Sequence, residues 1–195
     1  MKRISAYTTT RNVVSMDYPF KQSIESMLAF ADEVVVFDTS DGSDDTLDQL
    51  KAMVKQQPKI DVYHTNDWDW HTPNYGIYDG IAKACSRNRC TGDVLWQFDI
   101  DEVMHEDHAP LVRPLVESID FAKTPLVALP VVEYWGNTGK IRLDVNLWKW
   151  RLSLNHPEIT HGIPEPLRKY EDGLLYAKHG TDGCDYISSR TGNVI

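Results

Sequence analysis

Short runs of β-branched and aromatic residues alternate with segments whose apolar positions fall three and four apart. That alternation restricts the fold more than any other property of this chain. Residues 3–8 read as a short strand. Val34-Val35-Val36-Phe37 is apolar without a break, the pattern of a strand covered on both faces. Ile60 to His64 and Val94 to Phe98 read as further strands. Between them lie helix faces. Phe20, Ile24, Met27, Leu28 and Ala31 follow Pro19, a residue suited to a first turn. Leu47, Leu50, Met53 and Val54 follow Asp44 and Asp45, whose charge favours the positive end of a helix. A third helix is expected from about 76 to 90, and a fourth through Leu111, Val112, Leu115, Val116 and Ile119. Strands and amphipathic helices in this order predict an α/β fold, a mostly parallel central sheet flanked by helices on both faces.

The later part changes character. Leu126 to Tyr134 reads as a strand, and no helical segment separates it from the next, so a mixed antiparallel C-terminal part is expected. Ile141, Leu143, Val145 and Leu147 alternate, and the phase then flips to Trp148, Trp150 and Leu152. A strict strand does not change face, which predicts a bulge or bend near Leu147. Residues 66–75 are irregular and aromatic, and from about 155 glycines, prolines and histidines suggest loops and short elements. The 195 residues suit one domain, with 1–105 and 106–195 as its two halves.

Twenty basic against 29 acidic residues give a net charge of −9. Such a surface carries no broad footprint for a nucleic-acid backbone or an anionic membrane. No apolar run approaches the roughly 20 residues of a membrane helix. Met1-Lys2-Arg3-Ile4-Ser5 lacks the features of a signal peptide. Cys85, Cys90 and Cys184 cannot all pair and are not spaced as a zinc site. Reduced thiols and a cytoplasmic location are therefore expected.

In open α/β sheets, ligands sit beyond the carboxyl ends of the strands. Three polar clusters fall there: Thr8 to Thr10, Asp38 to Asp45, and Asp99 to Glu102. Asp99-Ile100-Asp101 puts two carboxylates on one side of an extended backbone. Such a pair suits a hard divalent cation with positions left open for phosphate oxygens. Five acids between Asp38 and Asp48 are too many for a phosphate cradle and suit hydrogen-bond acceptance from a base N–H or ribose hydroxyls. Ser43 or Asp44 also fits a helix cap. His105-Glu106-Asp107-His108 is metal-like in composition, but its place at a helix start favours a solvated cap.

The strand ending in Thr8-Thr9-Thr10-Arg11-Asn12, the strand into Asp38 with the turn Asp41-Gly42-Ser43-Asp44-Asp45-Thr46, and Gly92-Asp93 through Phe98-Asp99-Ile100-Asp101-Glu102 resemble the family-2-like glycosyltransferases of GT-A (Rossmann-like) fold. The resemblance covers about residues 3–105 and continues weakly to Tyr186. It implies transfer of a sugar from a nucleotide diphosphate with Mn²⁺ or Mg²⁺ on the D-x-D motif. By resemblance, residues 1–105 are the donor half and 106–195 the acceptor half. Thr8, Thr9 and Thr10 then line the nucleobase, and Asp38, or Asp41 of the turn, binds base or ribose. A carboxylate accepting the N3–H of uracil favours a UDP-sugar. Lys83 and Arg87 share a helix face beside the donor at i, i+4, where either reaches a phosphate or stands as a solvated basic face. Asp99 sits near ribose and metal, and Asp101 is the firmer metal ligand. Leu174 to Gly180 resembles the strand-plus-His that supplies a further ligand, so His179 ranks first among the histidines and His161 second. Trp150-Arg151-Leu152 followed by His161 and Glu165 resembles the family's basic or aromatic strand leading to a His–Glu pair, with Gly-Ile-Pro between the two here. Glu165 is the expected base for inverting transfer of a hexose to the hydroxyl of a glycan or other acceptor, ahead of Glu133 and Asp182. Trp68 and Trp70 are candidate sugar-stacking residues.

Three other functions compete. A nucleotidyltransferase usually opens with a Gly-rich phosphate loop, and no glycine precedes Gly42. A phosphohydrolase with an aspartyl nucleophile prefers a Thr where this chain has Val103. A non-catalytic nucleotide-sugar-binding module shares the same motifs.

Overall fold

A computed structural model describes residues 1–66, 75–157, 159, 161, 168–171, 174–177 and 187–188. The chain runs β1 (Ile4–Thr10), α1 (Phe20–Leu28), β2 (Glu33–Asp38), α2 (Thr46–Gln56), β3 (Ile60–His64), α3 (Tyr75–Asn88), β4 (Val94–Gln97), α4 (Ala109–Ser118), β5 (Leu126–Pro130), β6 (Tyr134–Trp135), β7 (Asn137–Ile141) and β8 (Trp148–Leu154), then three short strands, β9 (Arg168–Glu171), β10 (Leu174–Ala177) and β11 (Ile187–Ser188). The central sheet has the order β3-β2-β1-β4-β8-β5. The pairs β1–β2, β2–β3 and β1–β4 are parallel, whereas β8 is antiparallel to both β4 and β5. The predicted α/β fold, mostly parallel with an antiparallel part, is the observed one.

Alternation along the strands sorts the core into two layers. Ile4, Ala6, Val34, Val36, Val94 and Trp96 point to one face and pack with Phe20, Ile24 and Met27 of α1, Leu50 of α2, and Val112 and Val116 of α4. Tyr7, Val35 and Leu95 point to the other face, where they meet Cys90. There α3 lies across β1 and β2, with Ile81, Ala82, Ala84 and Cys85 buried. The unbroken apolar run in β2 is thus explained by cover on both sides.

Four expectations need correction. The first strand extends through the threonines to Thr10. Leu111 and Leu115 do not join the buried face of α4, which Val112 and Val116 supply; Leu111 is exposed. Residues 142–147 are not a strand: β6 and β7 form a separate hairpin, and β8 begins at Trp148. The bulge exists but lies four residues later than expected. Val127 pairs with Leu152 and Ala128 with Trp150, so Arg151 is the extra residue in β8.

Besides the β4–β8 ladder and the shared core, a buried polar contact ties α3 to β8. Arg87 of α3 is buried, and its guanidinium donates to the carbonyls of Ile159 (2.7 Å) and Leu154 (2.8 Å) and to Ser153 Oγ (2.7 Å). Beside it, Tyr7 Oη lies 2.7 Å from His161 Nε2. Burial first, then the charges of Arg87 and Lys83, depresses the His161 pKa from 6.5 to about 3. In this window the unfolded chain binds a proton that the folded chain does not, so the neutral imidazole contributes stability above pH 6.5 that is lost as pH falls toward 3. Denaturant unfolding at pH 7 and pH 4.5 should show that loss in the wild type and a smaller one in His161→Gln. Equal losses in both would count against this role.

Candidate active site

The carboxyl ends of β1, β2 and β4 open onto a cleft of roughly 1270 Å³. One end is formed by Thr9, Thr10, Arg11 and Thr39, the middle by Lys83, Asp99 and Asp101, and the far wall by Glu133, Lys149 and Arg151. All three predicted strand-end clusters therefore lie at this edge of the sheet, but their side chains are used unequally.

Asp38 is fully buried. Its Oδ1 accepts from Thr10 Oγ1 (2.7 Å) and Ser40 Oγ (2.7 Å), and its Oδ2 lies 2.8 Å from His64 Nδ1. The expected base or ribose contact from Asp38 does not fit this arrangement: the carboxylate ties the ends of β1, β2 and β3 together. Asp41 is more open. It is held by Ser43 N–H (2.9 Å), Asn12 Nδ2 (3.0 Å) and Arg11 (3.3 Å). Hydrogen bonds from Ser43, then Asn12, bring its pKa to about 2. Gly42 follows with φ +82°, a conformation open to glycine and strained for other residues. Asp44 accepts from Thr46 N–H (3.0 Å), the local turn expected ahead of α2. Thr8 is buried with its Oγ1 unpartnered among the described residues, away from the cleft that Thr9 and Thr10 line. Arg87, expected at a phosphate, is instead spent on the latch to β8 described above.

Asp99 is the centre of an ion-pair lattice. Its Oδ1 accepts from Lys83 Nζ (2.9 Å) and Gln97 Nε2 (2.9 Å), and its Oδ2 from Arg151 (2.6 Å). Lys83 also pairs with Asp79 (3.0 Å). Arg151 further donates to Gln97 Oε1 and Glu102. Lys149 joins Glu133 (2.8 Å) and approaches Glu102 (3.7 Å). Burial opposes the charge on Asp99, but Lys83 and Arg151 overcome it and hold the carboxyl well below its ordinary range. For Lys83, burial lowers the pKa, and Asp99 and Asp79 more than reverse it. Glu102 is raised, chiefly by burial, against the opposing charge of Arg151.

Asp101 stands apart. It is exposed on the cleft, with no partner for its carboxylate among the described residues. The described lining holds six carboxylates (Asp79, Asp99, Asp101, Glu102, Glu106, Glu133) and four cations (Arg11, Lys83, Lys149, Arg151). An anionic ligand entering it gains from an added cation. No group of three or more His, Cys, Asp or Glu with metal-holding geometry occurs among the described residues. His105 and His108 are exposed at the cleft rim near the start of α4. Glu165, His179, Asp182, Trp68 and Trp70 lie outside the described residues.

Arg151, Glu102 and Lys149 are the site residues that motif reasoning left without a role. Two signals bore on Arg151: the resemblance of Trp150-Arg151-Leu152 to a basic or aromatic strand, and the change of phase between Leu147 and Leu152, which marked a bulge without showing which side chain it redirected.

No protein-family model matches the chain, and no curated protein matches it in sequence. Solved structures do. S. aureus TarS 1-349 superposes with a TM-score of 0.54 at 13% identity, over 80% of this chain and 48% of that one. S. aureus TarS in a longer form gives 0.53 at 15% identity, over 80% and 29%. GalNAc-T7, solved with UDP, GalNAc and Mn²⁺, gives 0.50 at 18% identity, over 72% and 25%. The chain thus spans about half or less of the length of these structures. All three are GT-A glycosyltransferases, and with the sheet order and the cleft at its carboxyl edge they establish that this chain has the GT-A glycosyltransferase fold.

Proposed function

We propose that the chain transfers a hexose from a nucleotide diphosphate sugar, a UDP-sugar by preference, to a hydroxyl of a glycan or other acceptor, with inversion. The observation that carries this reading is the placement of Asp99-Ile100-Asp101 at the end of β4, in a cleft walled by Lys83 and Arg151, on the GT-A fold. Thr9, Thr10 and Arg11 would flank the nucleoside. Asp38 being sequestered, Asp41 is the acceptor for the uracil N3–H. The Lys83 ammonium has three donors; two meet Asp79 and Asp99, and the third is available to a donor phosphate.

A divalent cation, Mn²⁺ or Mg²⁺, suits this cleft at Asp101, an exposed carboxylate with no described partner in a lining of excess negative charge. It does not suit Asp99, whose two oxygens are both engaged. When bound, such an ion neutralises the diphosphate and stabilises it as a leaving group. His179 is retained as a proposed further ligand.

Inversion requires a carboxylate that removes the acceptor proton from the side opposite the diphosphate. We assign this to Glu165, with Glu133 as the alternative because it forms part of the far cleft wall. Calorimetry with UDP, GDP and CDP in Mn²⁺ should rank UDP first; tighter GDP binding would overturn the uracil assignment, and no binding of any nucleotide would overturn the whole reading. In a transfer assay Glu165→Gln should keep UDP affinity and lose rate on the order of 10²–10⁴-fold. If Glu133→Gln shows that loss and Glu165→Gln does not, the base is Glu133.

A further inference from the structure

We propose that Arg151 is a positioning residue that occupies the Asp99 carboxylate as a resident cation, so that a divalent metal enters only with the nucleotide and rests on Asp101. The nucleotide part of this inference rests on the glycosyltransferase reading; the role of Arg151 does not.

The bulge in β8 is what places the guanidinium. Arg151 is the residue skipped in the β8–β5 register, between Trp150 opposite Ala128 and Leu152 opposite Val127. It is 8% exposed, and its donors reach three acceptors on and just after β4: Gln97, Asp99 and Glu102. Its Nε is buried with no partner among the described residues. The side chain is therefore held by its two carboxylates rather than by full satisfaction of its own donors. A guanidinium is permanently charged and matches carboxylate geometry, so no change of pH within the working range releases it.

On the other side, Lys83 and Gln97 take Asp99 Oδ1. A carboxylate offers about four lone-pair positions. Those left on Asp99 lie between an ammonium at 2.9 Å and a guanidinium at 2.6 Å. A dication placed there meets the repulsion of both at a few ångströms, in a half-buried site. Glu102 is closed to it in the same way by Arg151, with Lys149 3.7 Å away. Asp101, two residues on, faces the open cleft with no such cation paired to it among the described residues. One carboxylate alone is a weak seat for Mn²⁺, and diphosphate oxygens complete it. Metal and nucleotide binding are then reciprocally coupled.

The test is titration of the intact chain with Mn²⁺, followed by electron paramagnetic resonance of the free ion, with and without UDP. Wild-type protein should bind Mn²⁺ weakly alone and roughly 5–150-fold more tightly with UDP, the usual range of such coupling. Arg151→Gln should bind Mn²⁺ without nucleotide on the order of 10–100-fold more tightly than wild type, because Asp99 and Glu102 lose the cation they share; Lys83→Gln, which removes only the cation on Asp99 Oδ1, should show a smaller gain in the same direction. Arg151→Lys keeps the charge but not the fork that spans Asp99 and Glu102, so it should fall between wild type and Arg151→Gln, a graded effect that loss of fold alone would not produce. Circular dichroism checks each variant; if Arg151→Gln is unfolded, Lys83→Gln and the wild-type titrations decide. Wild-type protein that holds Mn²⁺ equally well with and without UDP overturns the proposal. So do folded variants that bind it no better than wild type. If UDP fails to bind at all, the glycosyltransferase reading falls, while the nucleotide-free titrations of the variants still decide the role of Arg151.

Discussion

Asp101→Asn should abolish Mn²⁺-dependent nucleotide binding while leaving the melting temperature of the ligand-free protein where it is. The two halves of that result have separate causes. Asp101 is exposed and holds no partner among the described residues, so its removal leaves no buried group unpaired. Yet it is the one carboxylate of the D-x-D pair not already neutralised by Lys83 and Arg151. Loss of an ion that stabilises phosphate charge is worth several kcal/mol, so nucleotide affinity in Mn²⁺ should fall by about 100-fold or more. Calorimetry with UDP, Mn²⁺ and each variant gives the comparison directly. Asp99→Asn behaves differently: it strips two cations of their shared partner and should lower the melting temperature of the ligand-free protein. Retention of full Mn²⁺-dependent UDP affinity by Asp101→Asn would refute the assignment.

Gly92→Ala should lower stability by about 3 kcal/mol, near the upper end for overpacking a filled site and with a buried hydrogen bond lost in addition. A Cβ at Gly92 would lie 2.5 Å from Ser5 Oγ, 2.8 Å from Ser5 N and 2.9 Å from Arg3 O. Two of those atoms are backbone, so a rotamer change cannot relieve the contact; β1 must move from the entry to β4. The same shift breaks Gly92 N–H to Ser5 Oγ (2.7 Å). It also loosens buried Glu33, which accepts from Ser5 and from Thr91 Oγ1 (2.8 Å). With about 2–4 °C per kcal/mol for a chain of this size, the melting temperature should drop by roughly 6–12 °C. A thermal melt within about 2 °C of wild type would show that β1 and β4 yield at little cost.

The boundaries of α1, β2, α2, β3, α3, β4 and α4 were legible because each rests on a local period. Phe20, Ile24 and Met27 define a helix face whatever they pack against, and four apolar residues in a row define a strand covered twice. The position of Asp99 and Asp101 after β4 followed from the same local reading. The region from 126 to 154 was read less well. Its alternation runs through Ile141, Leu143, Trp148 and Trp150, all of them exposed, so apolar pattern there did not report burial, and the bulge was misplaced from Arg151 to Leu147.

The sequence by itself determined the order of strands and helices, the mostly parallel sheet and the edge at which the polar clusters gather, because these depend on neighbours within one or two turns. The tertiary structure alone decided which charge meets which. Asp38 is closed by Thr10 and His64, which lie 28 and 26 residues away along the chain. Arg87 is drawn from the donor side into a latch with β8, 66 residues on. Arg151 reaches Asp99 across 52 residues because a single extra residue in β8 turns it toward β4. No local period encodes such pairings. They follow from strand order and register, which bring distant side chains within hydrogen-bond reach and leave Asp101 as the carboxylate open to a ligand.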